Sequence, residues 1–458
     1  MDASITIGSE GKRRWLYPSL RKGRFYKWRS IISYVYLVFF FAGPFLRING
    51  QPLLLLNVLE RHFVIAGQVF WPQDIFLFVL ATLVFIVCVA LFTLAFGRVF
   101  CGWICPQTIF MEMVFRKIEI WIEGDANKRK QLDAAPWDRE KILKKGSKHL
   151  LFILVSFLIA NTFLAYVIGS EALVKIVTES VSLHWVGFLS IWVFTAVFYF
   201  VYSQVRELVC TVICPYGRLQ GVLLDNDTIV VAYNKTRGEP RGKLDRNAGP
   251  SAPPLGDCVD CNLCVAVCPT GIDIRNGTQL ECVNCTACID ACDYVMDKIH
   301  KPRNLIGYYS ENMIANNQKP VFTLRMMGYS AVIAVMMSVL CYFIFSRTDL
   351  DMTVMRSAGM LYQEQPGGYI SNIYNAEIIN KFNVPTTITI KAEDPAIKIK
   401  YIQAPDKIAK GGSTKVVFFL MVKAAAIHTP KTDIKLQVIA NNKIIQTVSA
   451  SFLGPVNN

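Results

Sequence analysis

Long uncharged apolar runs are the most prominent pattern along this chain of 458 residues. A helix needs about 20 apolar residues to cross a lipid bilayer. The run at 75–96 has this length and contains no charged residue, whereas the run at 31–46 is shorter and contains Pro44. The pattern predicts an α-helical membrane protein with about five transmembrane helices, at 31–46, 75–96, 150–168, 185–202 and 321–346.

The polar segments between these runs divide the chain further. The charged stretch 119–148 is expected to form solvated helix at the membrane edge, and a Pro/Gly-rich stretch at 238–256 indicates a linker. Cysteines are concentrated just after it, at 256–296, in the core of a soluble insert. The predicted domains are a basic amino-terminal segment, four helices, the insert, a fifth helix and a tail, at 1–30, 31–205, 206–320, 321–346 and 347–458.

The tail has a different pattern, with β-branched residues in rough alternation and turn residues between short segments. Alternation with a period of two is typical of half-buried strands, and short strands at this spacing are typical of a sandwich. The clearest predicted strands are 386–391, 397–402, 414–422 and 433–440. We therefore expect an all-β sandwich of about 100 residues.

Composition and charge fit this organisation. The chain is 53% hydrophobic, with a mean hydropathy of +0.36 and a net charge of +14. Lys and Arg are concentrated in 1–30, 97–149 and 206–320, whereas 47–74 and 169–184 contain few. This positive-inside distribution predicts a cytoplasmic amino terminus and, after five crossings, an exterior carboxyl-terminal domain. Contact with lipid headgroups accounts for the basic charge, so no nucleic-acid partner is predicted.

Eight of the fourteen cysteines form two copies of the spacing Cys-x2-Cys-x2-Cys-x3-Cys, starting at Cys258 and Cys282. In ferredoxins with two [4Fe-4S] clusters, the fourth cysteine of each run ligates the other cluster. A zinc site would instead use two cysteine pairs about a dozen or more residues apart. The predicted ligands are Cys258, Cys261, Cys264 and Cys292 for cluster 1, and Cys282, Cys285, Cys288 and Cys268 for cluster 2.

Four carboxylates lie close to these cysteines in the sequence: Asp257, Asp260, Asp290 and Asp293. Negative charge beside a cluster disfavours its reduced form. The sequence therefore predicts lowered reduction potentials.

A second group of cysteines forms two Cys-x3-Cys-Pro motifs, one after the second predicted helix and one after the fourth. The motifs are Cys101 to Cys105 and Cys210 to Cys214, and an Arg precedes each of them. If the local structure is helical, the i and i+4 spacing puts both thiols of a pair on one face. Thiolates favour Cu(I), zinc or iron–sulfur species, so the four cysteines are a candidate copper or redox site, as one site or two. The alternative is apolar packing, which we expect for Cys88 and Cys341 inside the apolar runs.

These motifs make the chain similar to the cytochrome c oxidase accessory proteins called CcoG, FixG or RdxA. The resemblance covers nearly the whole chain and rests on Gly97–Thr108, Arg206–Arg218 and Asp257–Met296. It implies that the tail is an immunoglobulin-like domain. It also implies a multi-pass protein of the bacterial inner membrane, with its clusters in the cytoplasm and its tail in the periplasm.

The resemblance further implies a role in assembling the cbb-type oxidase, with reduction of Cu(II) to Cu(I) before copper delivery. The implied partners are membrane lipid, copper ions, a cytoplasmic electron donor, and copper chaperones or oxidase-assembly proteins. Two other functions stay open at this point. One is a copper-binding assembly factor that is not an enzyme, and the other is a quinol-linked polyferredoxin subunit of a respiratory reductase.

Overall fold

The computed structural model describes residues 15–455 except 49, 59–61, 66, 72–73, 244–254, 317–322, 347–349, 358, 360, 381–384, 405–406, 410–411, 428 and 441–442. Residues 1–14 of the predicted basic segment, 244–254 of the predicted linker and 321–322 of the predicted fifth helix lie outside the described residues. The chain divides into two compact units. One falls within Met1–Leu46, Pro52–Arg61 and Ile75–Val339, and the other within Arg47–Gln51, His62–Asp74 and Leu340–Asn458.

Four of the described helices are long and apolar enough to cross a membrane: Ile75–Phe96, Arg139–Ile168, Trp185–Val205 and Leu324–Phe345. They confirm four of the five predicted helices and make this a membrane protein. The helix predicted to begin near residue 150 begins at Arg139 instead, because its first three turns are charged and were assigned to the polar stretch before it.

The predicted helix at 31–46 is wrong in its bounds, since the structure has a helix at Arg24–Ala42. Its first turns contain Arg24, Lys27 and Arg29, and it is not among the four apolar helices. Arg29 is buried, so a charged residue belongs to the packed face of this helix. The helix ends before Pro44, which has no N–H to continue the hydrogen-bond pattern.

Shorter helices connect the long ones. The α-helices are Val99–Trp103, Pro106–Thr108, Arg116–Glu123, Ala126–Ala134, Ser170–Thr178, Pro215–Leu223, Lys235–Gly238, Leu263–Ala266, Ala287–Lys298 and Glu311–Asn316. Three segments are π-helical: Ile109–Phe115, Val201–Val205 and Val209–Ile213. The expectation that 119–148 is a solvated helix is wrong for five of its charged residues in both halves, which are almost completely buried: Glu119, Glu123, Arg129, Lys141 and Lys148.

The soluble insert is built on a short antiparallel pair of strands, Val230–Tyr233 and Ile306–Tyr309. These strands flank the predicted core of 256–296 on both sides in the sequence. Ile289 and Met296 of the helix Ala287–Lys298 pack with the strands in a buried apolar cluster. Because this cluster also contains six of the eight cysteines of the two runs, the insert folds around its cysteines.

The second unit contains the predicted sandwich, in two antiparallel sheets. One sheet has the strands Lys398–Gln403, Ser413–Lys423, Tyr369–Asn380 and Leu350–Arg356 in this order, with Gln363–Gln365 also paired to Tyr369–Asn380. The other has Ile388–Ala392, Lys431–Ala440 and Lys443–Leu453. Val416, Phe418 and Leu420 alternate along one strand and are fully buried, as are Leu436 and Val438 of the facing sheet. Short strands outside the sandwich are Arg47–Ile48, Gln51–Pro52, Leu54–Asn57, His62–Ile65 and Gln68–Phe70.

Candidate metal centres

The two cysteine runs of the insert fold in the same way. The residues on either side of the second cysteine of each run have a left-handed backbone. The φ angles are 50° and 57° at Asp260 and Asn262, and 52° and 64° at Asn284 and Thr286. Asn and Asp tolerate this region, whereas a β-branched residue such as Thr286 is strained there. Each run then enters a helix. The repeated spacing therefore produces a repeated loop-to-helix turn.

The eight cysteines of these runs line two cavities, which share Cys264. The empty volumes are about 370 Å³ and about 340 Å³. In each cavity, three cysteines of one run meet the fourth cysteine of the other run. The first cavity is lined by Cys258, Cys261, Cys264 and Cys292, and the second by Cys268, Cys282, Cys285 and Cys288. Four sulfurs in a largely apolar wall are the donor set of a [4Fe-4S] cluster, so the residues fit two such clusters with the predicted exchange of ligands.

Burial controls the acidity of these thiols. It raises the pKa to about 11 for Cys264 and Cys285, and to about 12 for Cys282 and Cys292. A thiol with such a pKa stays protonated when nothing is bound. Metal binding must therefore displace protons, and the bound cations stabilise thiolates that the apolar surroundings alone would disfavour.

Two of the four carboxylates beside the cysteines form ion pairs, so their negative charge acts less on the cysteines than the sequence predicted. Asp257 pairs with Arg237 at 2.6 Å and with Lys301 at 2.9 Å, and Asp260 pairs with Arg275 at 2.5 Å. The two remaining carboxylates accept hydrogen bonds from backbone amides. Because three cations offset the first two carboxylates, the structure removes the basis for predicting that Asp257 and Asp260 lower the potentials.

The two Cys-x3-Cys-Pro motifs also have equivalent backbones. Cys105 donates its N–H to the carbonyl oxygen five residues earlier at 3.0 Å, and Cys214 does the same at 2.8 Å. Each is the residue before a helix whose first residue is proline. The condition of a helical local structure is therefore not met through either whole pair, because the helix breaks at the second cysteine. Cys210 itself lies in a π-helical turn, a feature that often marks functional sites.

The structure brings the two pairs together. Cys101 interacts electrostatically with Cys105 and Cys214, and Cys210 does so with Cys105 and Cys101. Burial raises the pKa of the Cys101 thiol, against the opposing effect of the nearby Arg98 guanidinium. Burial also raises the pKa of Cys210, to about 12. The four thiols thus occupy one neighbourhood, in which Cys101 is buried and the other three cysteines are partly buried.

This neighbourhood is in contact with the second cavity of the insert. Cys101 belongs to a buried apolar cluster with Val283 and Cys285, and Cys210 packs against the same cluster. Among the described residues, no group of three or more His, Cys, Asp or Glu side chains is already arranged to hold a single metal ion. Cys88 and Cys341 stand apart from both groups and are exposed on their apolar helices, so the expectation that they pack in a core is wrong.

Polar residues that the sequence analysis did not single out fix these contacts. Arg98 donates hydrogen bonds to the carbonyl oxygen of Leu280 and, at 3.5 Å, to that of Cys210. The Cys101 thiol donates to Gln220 Oε1 at 3.2 Å. An arginine before each motif was the only sequence signal, because the partners are more than 100 residues away.

Family models of known proteins match the insert, the two Cys-x3-Cys-Pro regions and the carboxyl-terminal sandwich separately. A family model described as a 4Fe-4S dicluster domain matches residues 205–311. A model of a 4Fe-4S binding domain matches 78–128 and 183–225, the two regions that contain the Cys-x3-Cys-Pro motifs. A model described as the IG-like fold at the C-terminal of FixG matches 340–455.

Three relatives cover most of the chain. Nitrogen fixation protein FixG of Rhizobium meliloti (strain 1021) is 33% identical over 421 residues, 83% of this chain and 80% of the relative. RdxB and RdxA of Cereibacter sphaeroides are 38% and 35% identical over 386 and 381 residues, 81% and 80% of this chain, and 80% and 79% of the relatives. The crystal structure of a FixG-related protein from Vibrio parahaemolyticus matches 23% of this chain and 97% of that chain, at 16% identity and a TM-score of 0.20.

The apolar helices, the 4Fe-4S domains and the cysteine-lined cavities define a membrane-bound iron–sulfur electron-transfer protein. The sequence identities to the three relatives, and the share of each chain that they cover, also show the family. The chain belongs to the family of FixG, RdxA and RdxB, which confirms the family resemblance.

Proposed function

We propose that the protein reduces Cu(II) to Cu(I) at a site formed by Cys101, Cys105, Cys210 and Cys214, during assembly of a cbb-type cytochrome c oxidase. The observation that carries the proposal is the shared buried cluster of Cys101, Val283 and Cys285, the last two of which line the second cavity. The oxidase is the part that the family resemblance implies.

The reduction step transfers one electron to Cu(II), and copper binding releases the protons of the thiols that become its ligands. Bound [4Fe-4S] clusters supply single electrons. Soft thiolates favour Cu(I) over harder ions, so the four cysteines retain the product. Since Cys101 packs in one buried cluster with Cys285 of the second cavity, the copper site lies next to the source of the electron.

We place the amino terminus and the clusters in the cytoplasm, and the sandwich in the periplasm of a bacterial inner membrane. The Lys and Arg distribution supports this orientation. The segments Arg47–Gln51 and His62–Asp74 also fall into the same compact unit as the sandwich, which supports a common side for both. The helix Arg24–Ala42 is then the fifth crossing, with its charged end in the cytoplasm.

Protease added to intact spheroplasts tests this orientation. We expect it to remove a tag at the carboxyl terminus and to spare a tag at the amino terminus until the membrane is permeabilised. Protection of the carboxyl-terminal tag in intact cells contradicts the orientation without affecting the copper proposal. In this orientation a cytoplasmic donor reduces the clusters, and periplasmic copper chaperones or oxidase-assembly proteins contact the sandwich.

A second candidate for the four cysteines is a further iron–sulfur cluster. It is favoured by the match of a 4Fe-4S binding model to both motif regions. Iron analysis separates the candidates. Two clusters contain about 8 irons per chain and three contain about 12. Loss of about four irons in Cys101→Ala/Cys214→Ala supports the second candidate.

The copper proposal is tested with purified protein whose clusters have been reduced chemically, with the excess reductant removed. Cu(II) is added together with a Cu(I) chelator, and cluster absorbance, chelated Cu(I) and free thiols are followed together. We expect one Cu(I) for each electron lost from the clusters, with the thiol count unchanged. Disulfide formation without cluster reoxidation shows that the thiols themselves reduced the copper, which contradicts the proposal.

The variants locate the reaction. Cys101→Ala/Cys214→Ala is expected to lose copper-dependent reoxidation and keep both clusters, whereas Cys88→Ala/Cys341→Ala behaves as wild type. Tight copper binding without electron transfer favours an assembly factor that is not an enzyme. Reoxidation by a quinone and not by copper favours a quinol-linked polyferredoxin.

A further inference from the structure

A large cavity in the helical unit contains no cysteine. Its empty volume is about 1110 Å³, and its walls come from 15–17, 119–137, 141–152 and 203–206. Most of its polar lining comes from the polar first half of the membrane helix Arg139–Ile168 and from the buried part of 119–137. The cavity is therefore at the polar end of an apolar helix.

Charged residues in the wall form a buried network around Glu119. Arg206 donates two hydrogen bonds to its carboxylate, at 2.7 and 2.8 Å, and Arg129 donates one at 3.3 Å. Burial by itself raises the pKa of Glu119, but Arg206 and the neighbouring cations outweigh it and lower the pKa to about 2. Glu119 is therefore ionised, and its charge is already neutralised inside the wall.

The other two carboxylates of the wall are also paired. Lys145 lies 2.9 Å from Glu123 and 2.5 Å from Asp133, and Lys148 lies 2.9 Å from Glu123. The wall contains five Lys and Arg side chains against these three carboxylates. Glu207, which lies beside the wall, also pairs with Arg206 at 3.7 Å, so one positive charge is left over.

Lys141 carries this surplus charge. Its ammonium donates to the carbonyl oxygens of Asp133 and Ala135, and it lies 5.0 Å from the centre of the Trp137 ring. Across the described part of the chain, no carboxylate pairs with Lys141. Its charge is buried and is balanced only by dipoles, so an anion in the cavity would stabilise it.

Two further hydrogen-bond donors in the wall have no acceptor among the described residues. Ser203 Oγ and Arg129 Nε are buried and have no hydrogen-bond partner there. Both residues are at least nine-tenths buried. An unsatisfied buried donor costs about 1–3 kcal/mol, so a ligand that accepts hydrogen bonds would recover that cost. Trp15 and Trp137 add aromatic surface at the cavity wall.

We propose that this cavity binds a phosphate group. A phosphate offers negative charge and several acceptor oxygens, which match the surplus cation Lys141 and the unused donors. At the polar end of a membrane helix, the group has two sources, an anionic phospholipid headgroup or a soluble phosphate. The site is independent of the copper proposal, because no cysteine lines it.

Binding to the full-length protein tests the proposal. Delipidated protein in detergent is titrated with inorganic phosphate in one arm and with short-chain phosphatidylglycerol in another. Lys141→Gln and Ser203→Ala remove wall donors without leaving a carboxylate unpaired. Lys144→Gln is the matched control, since Lys144 is on the same helix and pairs with Glu140, and neither residue lines the cavity.

We expect about a tenfold loss of affinity in Lys141→Gln, which is the loss of one charge-assisted contact. A smaller loss is expected in Ser203→Ala and no change in Lys144→Gln. Binding of phosphatidylglycerol alone identifies the lipid as the source, and binding of inorganic phosphate identifies a soluble ligand. The proposal is overturned if neither binds, or if Lys141→Gln and Ser203→Ala bind like wild type. Unchanged cluster absorbance shows that the variants are folded.

Discussion

Arg29 Nη1 donates a hydrogen bond of 2.8 Å to the backbone oxygen of Cys285, which is 256 residues further along the chain. The same guanidinium donates through Nε to the backbone oxygen of Gly102 at 3.1 Å. A Cβ at Gly102 would lie 2.5 Å from the backbone oxygen of Val283, so these segments are in direct backbone contact. One buried arginine therefore joins the second cysteine run of the insert to the motif that begins at Cys101.

Replacing Arg29 is expected to loosen this junction. Arg29→Gln loses charged hydrogen bonds to two carbonyl oxygens, and we expect the free energy of unfolding to fall by about 2–3 kcal/mol. Copper-dependent reoxidation should slow, while the iron content stays the same. Thermal unfolding and stopped-flow absorbance measure the two effects. Lys27→Gln, on the exposed side of the same helix, is the control. Equal reoxidation rates in Arg29→Gln and wild type would show that the junction does not serve electron transfer.

The exchange of the fourth cysteine between the runs is open to a direct test. Cys292→Ala should disturb the cluster held by the first run, and Cys268→Ala the cluster held by the second run. Each variant is expected to lose up to about four irons and to keep one intact cluster with its own electron paramagnetic resonance signal. Cys341→Ala should keep all its iron. The exchange is ruled out if Cys292→Ala keeps the signal that Cys261→Ala, a variant of the first run, loses.

Arg275 is expected to set the potential of the cluster in the first cavity. It lines that cavity and pairs with Asp260 and Asp273. Arg275→Gln removes a positive charge and leaves both carboxylates unpaired, so we expect the potential to fall by about 60 mV, a tenfold change for a one-electron couple. Asp260→Asn should shift it less, because Arg275 keeps a carboxylate partner.

A redox titration followed by paramagnetic resonance measures both shifts. Arg303→Gln is the matched control, because Arg303 is exposed and pairs with the exposed Asp297. If Asp260→Asn raises the potential as much as Arg275→Gln lowers it, the ion pair does not neutralise Asp260.

Because Glu119 is ionised in the folded protein, the free energy of unfolding is expected to decrease as the pH falls. Its pKa is lowered from 4.5 to about 2 in the folded protein. A lowered pKa stabilises the fold above pH 4.5, and this contribution is lost as the pH falls from about 4.5 through about 2. The shift corresponds to about 3 kcal/mol.

Glu119→Gln should remove this contribution at pH 7 and leave Arg206 and Arg129 without their buried carboxylate. Denaturant unfolding of the two proteins at pH 7 measures the difference. Glu140→Gln, which breaks only an exposed pair with Lys144, should change the stability by less than about 0.5 kcal/mol. A loss in Glu119→Gln no larger than in Glu140→Gln would contradict the buried network.

Local pattern predicted the sandwich only where its strands alternate. Ser413–Lys423 and Lys431–Ala440 have one buried and one open face, and they were predicted. Tyr369–Asn380 was missed, because it lies between two neighbouring strands and most of its residues are buried. Its buried Asn372 donates to the carbonyl oxygen of Leu453, which makes a polar residue part of the core. No periodicity in a single segment reports such a partner.

The sequence by itself determined the chemistry of this protein: apolar runs long enough for a membrane, and two cysteine runs whose spacing suits three corners of a cubane. Both are local properties, because a helix length and a short loop depend on neighbouring residues. Tertiary structure alone decided that Cys101, Cys105, Cys210 and Cys214 share one neighbourhood, and that this neighbourhood packs in one cluster with Cys285. Arg29 and Arg98 fix these contacts through hydrogen bonds to distant carbonyl oxygens, and backbone acceptors leave no trace in the residue types of a sequence.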